Sequence, residues 1–155
     1  MRQADLKSAA AVRQAAMAVL AAAPAAELSR LWAQCFDLAV AAETLRGPET
    51  GLVTVRGRIG GGGPAFNIGE TTVTRATVRL ATGEVGHCYM LGRDGEKARL
   101  AATIDALLQR SADAGTVEEK VIAPLRQARD ASIARRQAQT AATKVDFFTL
   151  VRGED

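Results

Sequence analysis

The feature that most restricts the fold is a change of period near Phe36. Up to Cys35 the apolar residues recur at helical spacing, from Phe36 to Leu91 they largely alternate, and from Glu96 the helical spacing returns. Alternation marks a half-buried strand, and spacings of three and four mark an amphipathic helix. Turn residues interrupt the alternating stretch at Gly47-Pro48, at Gly60-Gly61-Gly62-Gly63-Pro64 and at Thr82-Gly83. Four strands are therefore expected, over 36–45, 52–59, 71–80 and 85–91. Short turns between neighbouring strands make the sheet an antiparallel meander. The fold class read from this order is α+β, with helices before and after the sheet. At 155 residues the chain suits one domain, 1–155, long enough to bury a real core.

The flanking helices follow from the same reading. Residues 4–22 carry Leu6, Val12, Met17, Val19 and Leu20 as a thin stripe filled out by alanine. Pro24 ends that helix and suits the first turn of a second, about 25–35, with Leu28, Leu31, Trp32 and Cys35 facing inward. After the Gly92-Arg93-Asp94-Gly95 break, 96–111 is helical through Leu100, Ile104, Leu107 and Leu108, and Gly115 is expected to close it. Thr116 and Glu119 have the spacing of a capping box. Pro124 lies too deep for that helix to continue unbroken, so a short turn at 117–122 precedes a helix from Pro124 to about Thr143. The tail, 145–155, holds Phe147, Phe148, Leu150 and Val151, half of the chain's four Phe in a segment too short to bury them alone. It is expected to dock on its own sheet or on another chain.

Composition excludes several classes. With 4% aromatic residues the core is expected to be aliphatic, and with two cysteines the chain is neither a disulfide scaffold nor an iron–sulfur protein. Cys35 and Cys88 are expected as reduced, buried thiols in a cytosolic protein. Arg2, Lys7 and Arg13 before the apolar stretch 15–23, with Ala23-Pro24-Ala25 after it, imitate a signal peptide. Asp5 and the alanine richness favour a retained helix instead. No apolar run reaches the roughly 18–20 residues that span a bilayer. The net charge of +3 is uneven: residues 1–50 balance, 51–93 carry an excess of three, 121–144 an excess of four, and 145–155 a deficit of two. Dispersed arginines without stacking aromatics do not suit nucleic acid; a small polyanion or an acidic partner surface fits better.

Catalytic sets are missing. His87 is the one histidine, which excludes HExxH and other multi-histidine metal sites. There is no Walker loop and no GxSxG elbow. The positive signal is arginine on strands. Arg75 and Arg79 share a face of one strand, Arg56 and Arg58 share a face of the strand before it, and the Gly60–Gly63 loop joins the two. Guanidinium forks and loop N–H groups suit phosphate oxygens; solvated arginines, or arginines paired with acidic residues of a partner, are the plainer reading. Arg75, Arg79, Arg58, Gly60, Gly61 and Arg93 are thus the candidate phosphate ligands, and Phe147, Phe148, Leu150 and Arg152 the candidate interface residues. Asp94 is expected to cap the following helix, and Asp105 to face solvent or a partner.

Seven short motifs, in order, resemble one family. They are Glu49-Thr50-Gly51-Leu52-Val53, Arg58 with Gly60-Gly61, Thr74-Arg75, Val78-Arg79-Leu80, Gly92-Arg93-Asp94, Asp105-Ala106-Leu107 and the tail Val145-Asp146-Phe147-Phe148-Thr149-Leu150-Val151-Arg152-Gly153. Together they resemble the PhnG subunit family of the phosphonate carbon–phosphorus lyase. The resemblance runs from about Arg13, leaving 1–12 as a variable extension. It implies a cytoplasmic hetero-oligomeric core with PhnH, PhnI and PhnJ, two copies of each, and an ATP-binding-cassette-like protein, PhnL. Such a complex uses an alkylphosphonate to displace adenine from MgATP, giving a ribose 1-alkylphosphonate 5-triphosphate. A diphosphate is then removed, and a radical-SAM subunit breaks the carbon–phosphorus bond. The resemblance implies that MgATP is a substrate of the complex, that this chain alone holds no cofactor or metal and is inactive alone, and that neither nucleic acid nor membrane is a partner. It assigns no catalytic residue here. Scaffolding is the leading expectation, and phosphate binding through Arg75, Arg79 and the glycine loop the alternative.

Overall fold

The structure, a computed structural model, describes residues 2–35, 40–58 and 63–143, with side chains from residue 10 onward. Helix α1 (Arg2–Ala22) and helix α2 (Ala25–Cys35) precede three strands, β1 (Ala42–Gly57), β2 (Phe66–Leu80) and β3 (Val85–Leu91). Helices α3 (Gly95–Leu107) and α4 (Ser111–Val117) follow, then a π-helical turn (Glu118–Ile122) and α5 (Ala123–Ala142). The sheet is antiparallel in the order β1-β2-β3, so the α+β meander stands.

The expected count of four strands does not. Gly47-Pro48 is not a turn; it lies inside the single long strand β1. Arg46 pairs with Thr77 and Glu49 with Arg75, three steps on β1 against two on β2. The extra residue makes a bulge, and an edge-strand bulge tolerates a proline that cannot donate to the ladder. The first half of the expected strand over 36–45 falls partly outside the described residues.

Alternation explains which way the sheet faces. Thr74, Ala76, Val78 and Leu80 of β2 and Gly86, Cys88 and Met90 of β3 are buried, and α3 packs on both strands. The odd-numbered residues point to the opposite, open face. On its other side α3 meets α1 and α2, so every residue from Ala101 to Leu107 is buried. A helix covered all round needs small residues where backbones approach. Ala98, Ala101, Ala102 and Ala106 supply them, and so does Gly86. A Cβ at Gly86 would lie 1.9 Å from the Ala102 carbonyl oxygen and 2.6 Å from the Ala106 nitrogen. The fully buried large hydrophobic side chains are aliphatic, Leu20, Leu28, Ile104, Leu107 and Ile122 among them, as the scarcity of aromatics predicts.

The second-half helices differ from expectation. Gly115 does not close a helix; it lies within α4, and Thr116 and Glu119 form no capping box because the helix passes through them. The break comes earlier, between Leu107 and Ser111. The expected turn at 117–122 is helical but wider: the Ala123 N–H reaches back five residues to the Glu118 carbonyl. Pro124, with no N–H to give, sits in the first turn of α5. The widened turn lets the chain stay helical through a proline.

Candidate functional site

β2 pairs with β3 only from Val73 to Arg79, whereas its pairing with β1 runs on to Phe66 opposite Gly57. Residues 52–57 and 66–72 therefore form a two-stranded arm beyond the helix-covered part of the sheet. A further bulge, between Val55–Gly69 and Arg56–Asn67, leaves Ile68 as the extra residue. Its side chain lies over Gly57, where a Cβ would meet Ile68 Cδ1 at 2.1 Å.

The open face of the sheet divides in two. Near the β2–β3 turn it is polar. Arg75 reaches Glu49, with Nη2 2.8 Å and Nε 2.9 Å from Oε2. Arg79 Nη2 lies 2.7 Å from Glu43 Oε2, and Thr77 Oγ1 lies 3.2 Å from His87 Nδ1. Toward the arm the same face becomes apolar: Val73, Tyr89 and Leu91, then Val55, Phe66 and Ile68. Leu91 is 69% exposed and Ile68 62%. Antiparallel sheets commonly leave one face to water, but that face is then polar.

The candidate phosphate ligands are not gathered. Arg75 and Arg79 share the open face as expected, each with a carboxylate from β1. Arg58 lies just past the end of β1, nine positions from Glu49, roughly 30 Å at strand rise, and is exposed. Arg56 Nη2 donates to the Ala65 carbonyl at 3.2 Å. Arg93 is exposed in the turn after β3, beside Gly92 with φ +95°. Gly60 and Gly61 lie outside the described residues, as do Phe147, Phe148, Leu150 and Arg152, so docking of the tail does too. Asp94 caps α3 as expected, accepting from the Lys97 N–H at 2.9 Å.

Asp105 corrects the sequence reading. Its side chain is fully buried and accepts from Arg13 Nε at 2.9 Å, Arg13 Nη2 at 2.7 Å and the His87 N–H at 2.8 Å. The hydrogen bond to Asp105 raises the Arg13 pKa against the opposing effect of burial. Arg13 Nη2 and Gln109 Nε2 also donate to the Val85 carbonyl, at 3.3 and 2.8 Å. Together these groups occupy the outer edge of β3, where unpaired backbone would otherwise invite another strand. The signal was present: Asp105 stands between Ile104 and Leu107 in an apolar run, where a carboxylate is buried only with a partner.

Other chemistry is sparse. Both cysteines are free, and burial pushes the Cys88 thiol up to about 11. Lys97, its pKa lowered by burial, donates to the Ala21 carbonyl at 2.8 Å near the end of α1. Among the described residues no cluster of His, Cys, Asp and Glu suits a metal, and no helix is long and apolar enough to cross a membrane.

Two comparisons with known proteins bear on this arrangement. Residues 11–153 match the model of a family described as phosphonate metabolism protein PhnG. A relative from Rhizobium meliloti (strain 1021) is 56% identical over 146 residues, 92% of this chain and 90% of its own length. That relative is the alpha-D-ribose 1-methylphosphonate 5-triphosphate synthase subunit PhnG.

Proposed function

Because the chain belongs to the PhnG family of phosphonate metabolism proteins, we propose that it is a scaffolding subunit of an alpha-D-ribose 1-methylphosphonate 5-triphosphate synthase. The reaction assigned to that complex joins methylphosphonate to the ribose of MgATP and releases adenine. This chain holds the assembly together and carries none of the bond-making groups. Its partners are the other core subunits, PhnH, PhnI and PhnJ, with the ATP-binding-cassette-like PhnL, in the cytoplasm.

The observation that carries the reading is the apolar half of the open sheet face. Tyr89 and Leu91 stand exposed on a sheet whose other side is packed by α3 under β2 and β3, and Phe66 and Ile68 continue the exposed apolar face onto the arm. A two-stranded arm is marginally stable alone in water, and contiguous exposed apolar surface marks a protein contact. The polar half of the face supports the same role. Glu43 and Glu49 already neutralise Arg79 and Arg75, so a phosphate would have to displace a carboxylate from each. The experiment is co-expression with the other core subunits and purification through a tag on this chain. Stoichiometric recovery of the partners is the expected result. A chain that elutes alone under conditions where the other subunits assemble would sink the reading.

A further inference from the structure

We propose that the outer half of α5, residues 131–143, is a docking helix for an acidic protein surface on another subunit. This rests on the subunit reading above and names a second contact, away from the sheet face. Every residue from Asp130 to Thr143 is exposed. Leu125 is the one buried residue of α5, and the exposed stretch from Asp130 to Thr143 runs for about 14 residues, roughly 20 Å. Anchored at Leu125, this stretch has no buried residue of its own among the described residues. Its charge says what surface it fits. Nearer the body each arginine is answered within the chain, Arg126 by Glu118 at 2.9 Å and Arg129 by Asp130 at 3.1 Å. Farther out, Arg135 and Arg136 have no ion pair or hydrogen bond from their guanidinium groups among the described residues, and 131–143 contains no carboxylate.

Along one side, Ile133, Arg136, Gln137, Thr140 and Ala141 form one exposed stretch of helix surface. Their spacing of three and four is that of a single helix face, here small and uncharged apart from one arginine. Such a face lets a partner approach closely, while the arginines select carboxylates on it. A membrane-surface helix would need more large apolar residues than Ile133 alone. A single-strand nucleic-acid site would need aromatics, which α5 lacks.

The test uses the full chain co-expressed with the other synthase subunits. The double variant Arg135→Glu/Arg136→Glu should recover about tenfold less partner than wild type, the scale of interfacial charge pairs. Wild-type recovery should fall with rising salt. Circular dichroism of the isolated variant should match wild type, since both side chains are exposed. A second variant, Arg135→Lys/Arg136→Lys, treated with a carbodiimide, should form an amide from position 135 or 136 to an Asp or Glu of another subunit. Unchanged recovery of the Glu variant beside normal wild-type assembly would overturn the docking helix and leave the subunit reading standing. So would loss of short single-stranded RNA binding in the Glu variant with assembly intact. Failure of wild type itself to assemble would overturn both.

Discussion

The same chemistry, an arginine on a carboxylate, appears on the two sides of the sheet with opposite consequences. On the packed side Arg13 grips Asp105 from 92 residues away, and the carboxylate is fully buried. On the open side Arg75–Glu49 and Arg79–Glu43 have comparable lengths, but all four side chains are about half exposed or more. Burial decides the difference. Water screens the open pairs, which are worth at most about 1 kcal/mol each. In the packed pair, loss of one partner strands a charge that has already given up its hydration. Distance alone does not distinguish a pair that fastens a fold from one that tunes a surface.

The comparison breaks most clearly at Arg13. Arg13→Ala leaves the Asp105 carboxylate with only the His87 N–H, and should cost about 3 kcal/mol. The figure belongs at the low end of the range for buried pairs because Arg13 is a third exposed. For a chain of this length that is a fall in Tm of roughly 6–12 °C, read by thermal denaturation. Arg13→Lys keeps the charge but not the two-pronged contact, and should recover only part of the loss. A Tm within a degree of wild type for Arg13→Ala would show that α1 is held by its apolar stripe alone.

Next in size is Gly86→Ala. The added Cβ meets backbone atoms of α3 rather than a movable side chain, so the helix must shift off the sheet. A cost of about 2 kcal/mol is expected from such overpacking, measured by urea denaturation. The open face offers the contrast. Ile68→Asp with Leu91→Asp should change stability by less than about 1 kcal/mol, since both side chains are solvated in the isolated chain. Recovery of partner subunits should nonetheless fall sharply. If the double variant unfolds instead, the face is part of this chain's own core.

What the residues by themselves reveal of the fold is uneven, for physical reasons. The α+β class, the hairpin at Thr82-Gly83 and the cap at Asp94 follow from local rules of period, turn chemistry and side-chain length, and the structure keeps them. Gly83 takes φ +106° in that turn, as only glycine does cheaply. Gly47-Pro48 misleads because the same dipeptide serves a turn or an edge bulge, and the register of a partner strand 30 residues away decides between them. Pro124 misleads because a widened helical turn, invisible to periodicity, absorbs it. Arg13 is passed over because its partner is 92 positions distant and alanines surround it. The strand arginines are visible through alternation, yet alternation is blind to Glu43 and Glu49 across the ladder. The candidate site is therefore half legible: which residues share a face, but not what already occupies them.

The smallest expected effect is the sharpest test of that last point. Arg75→Ala with Arg79→Ala removes two screened ion pairs, so stability should fall by less than about 1.5 kcal/mol in total. Such a variant folds and can be assayed in the assembled complex. If the face serves only assembly, phosphonate-dependent release of adenine should follow the amount of complex recovered and nothing else. If activity is lost from complex that forms normally, the arginines hold phosphate in the working enzyme, and Glu43 and Glu49 are placeholders that the ligand displaces. Glu43→Gln with Glu49→Gln then separates the cases in the other direction. Freed of their carboxylates, arginines that bind phosphate should bind it more tightly, lowering the KM for MgATP or phosphonate. Arginines that only line an interface should leave KM unmoved.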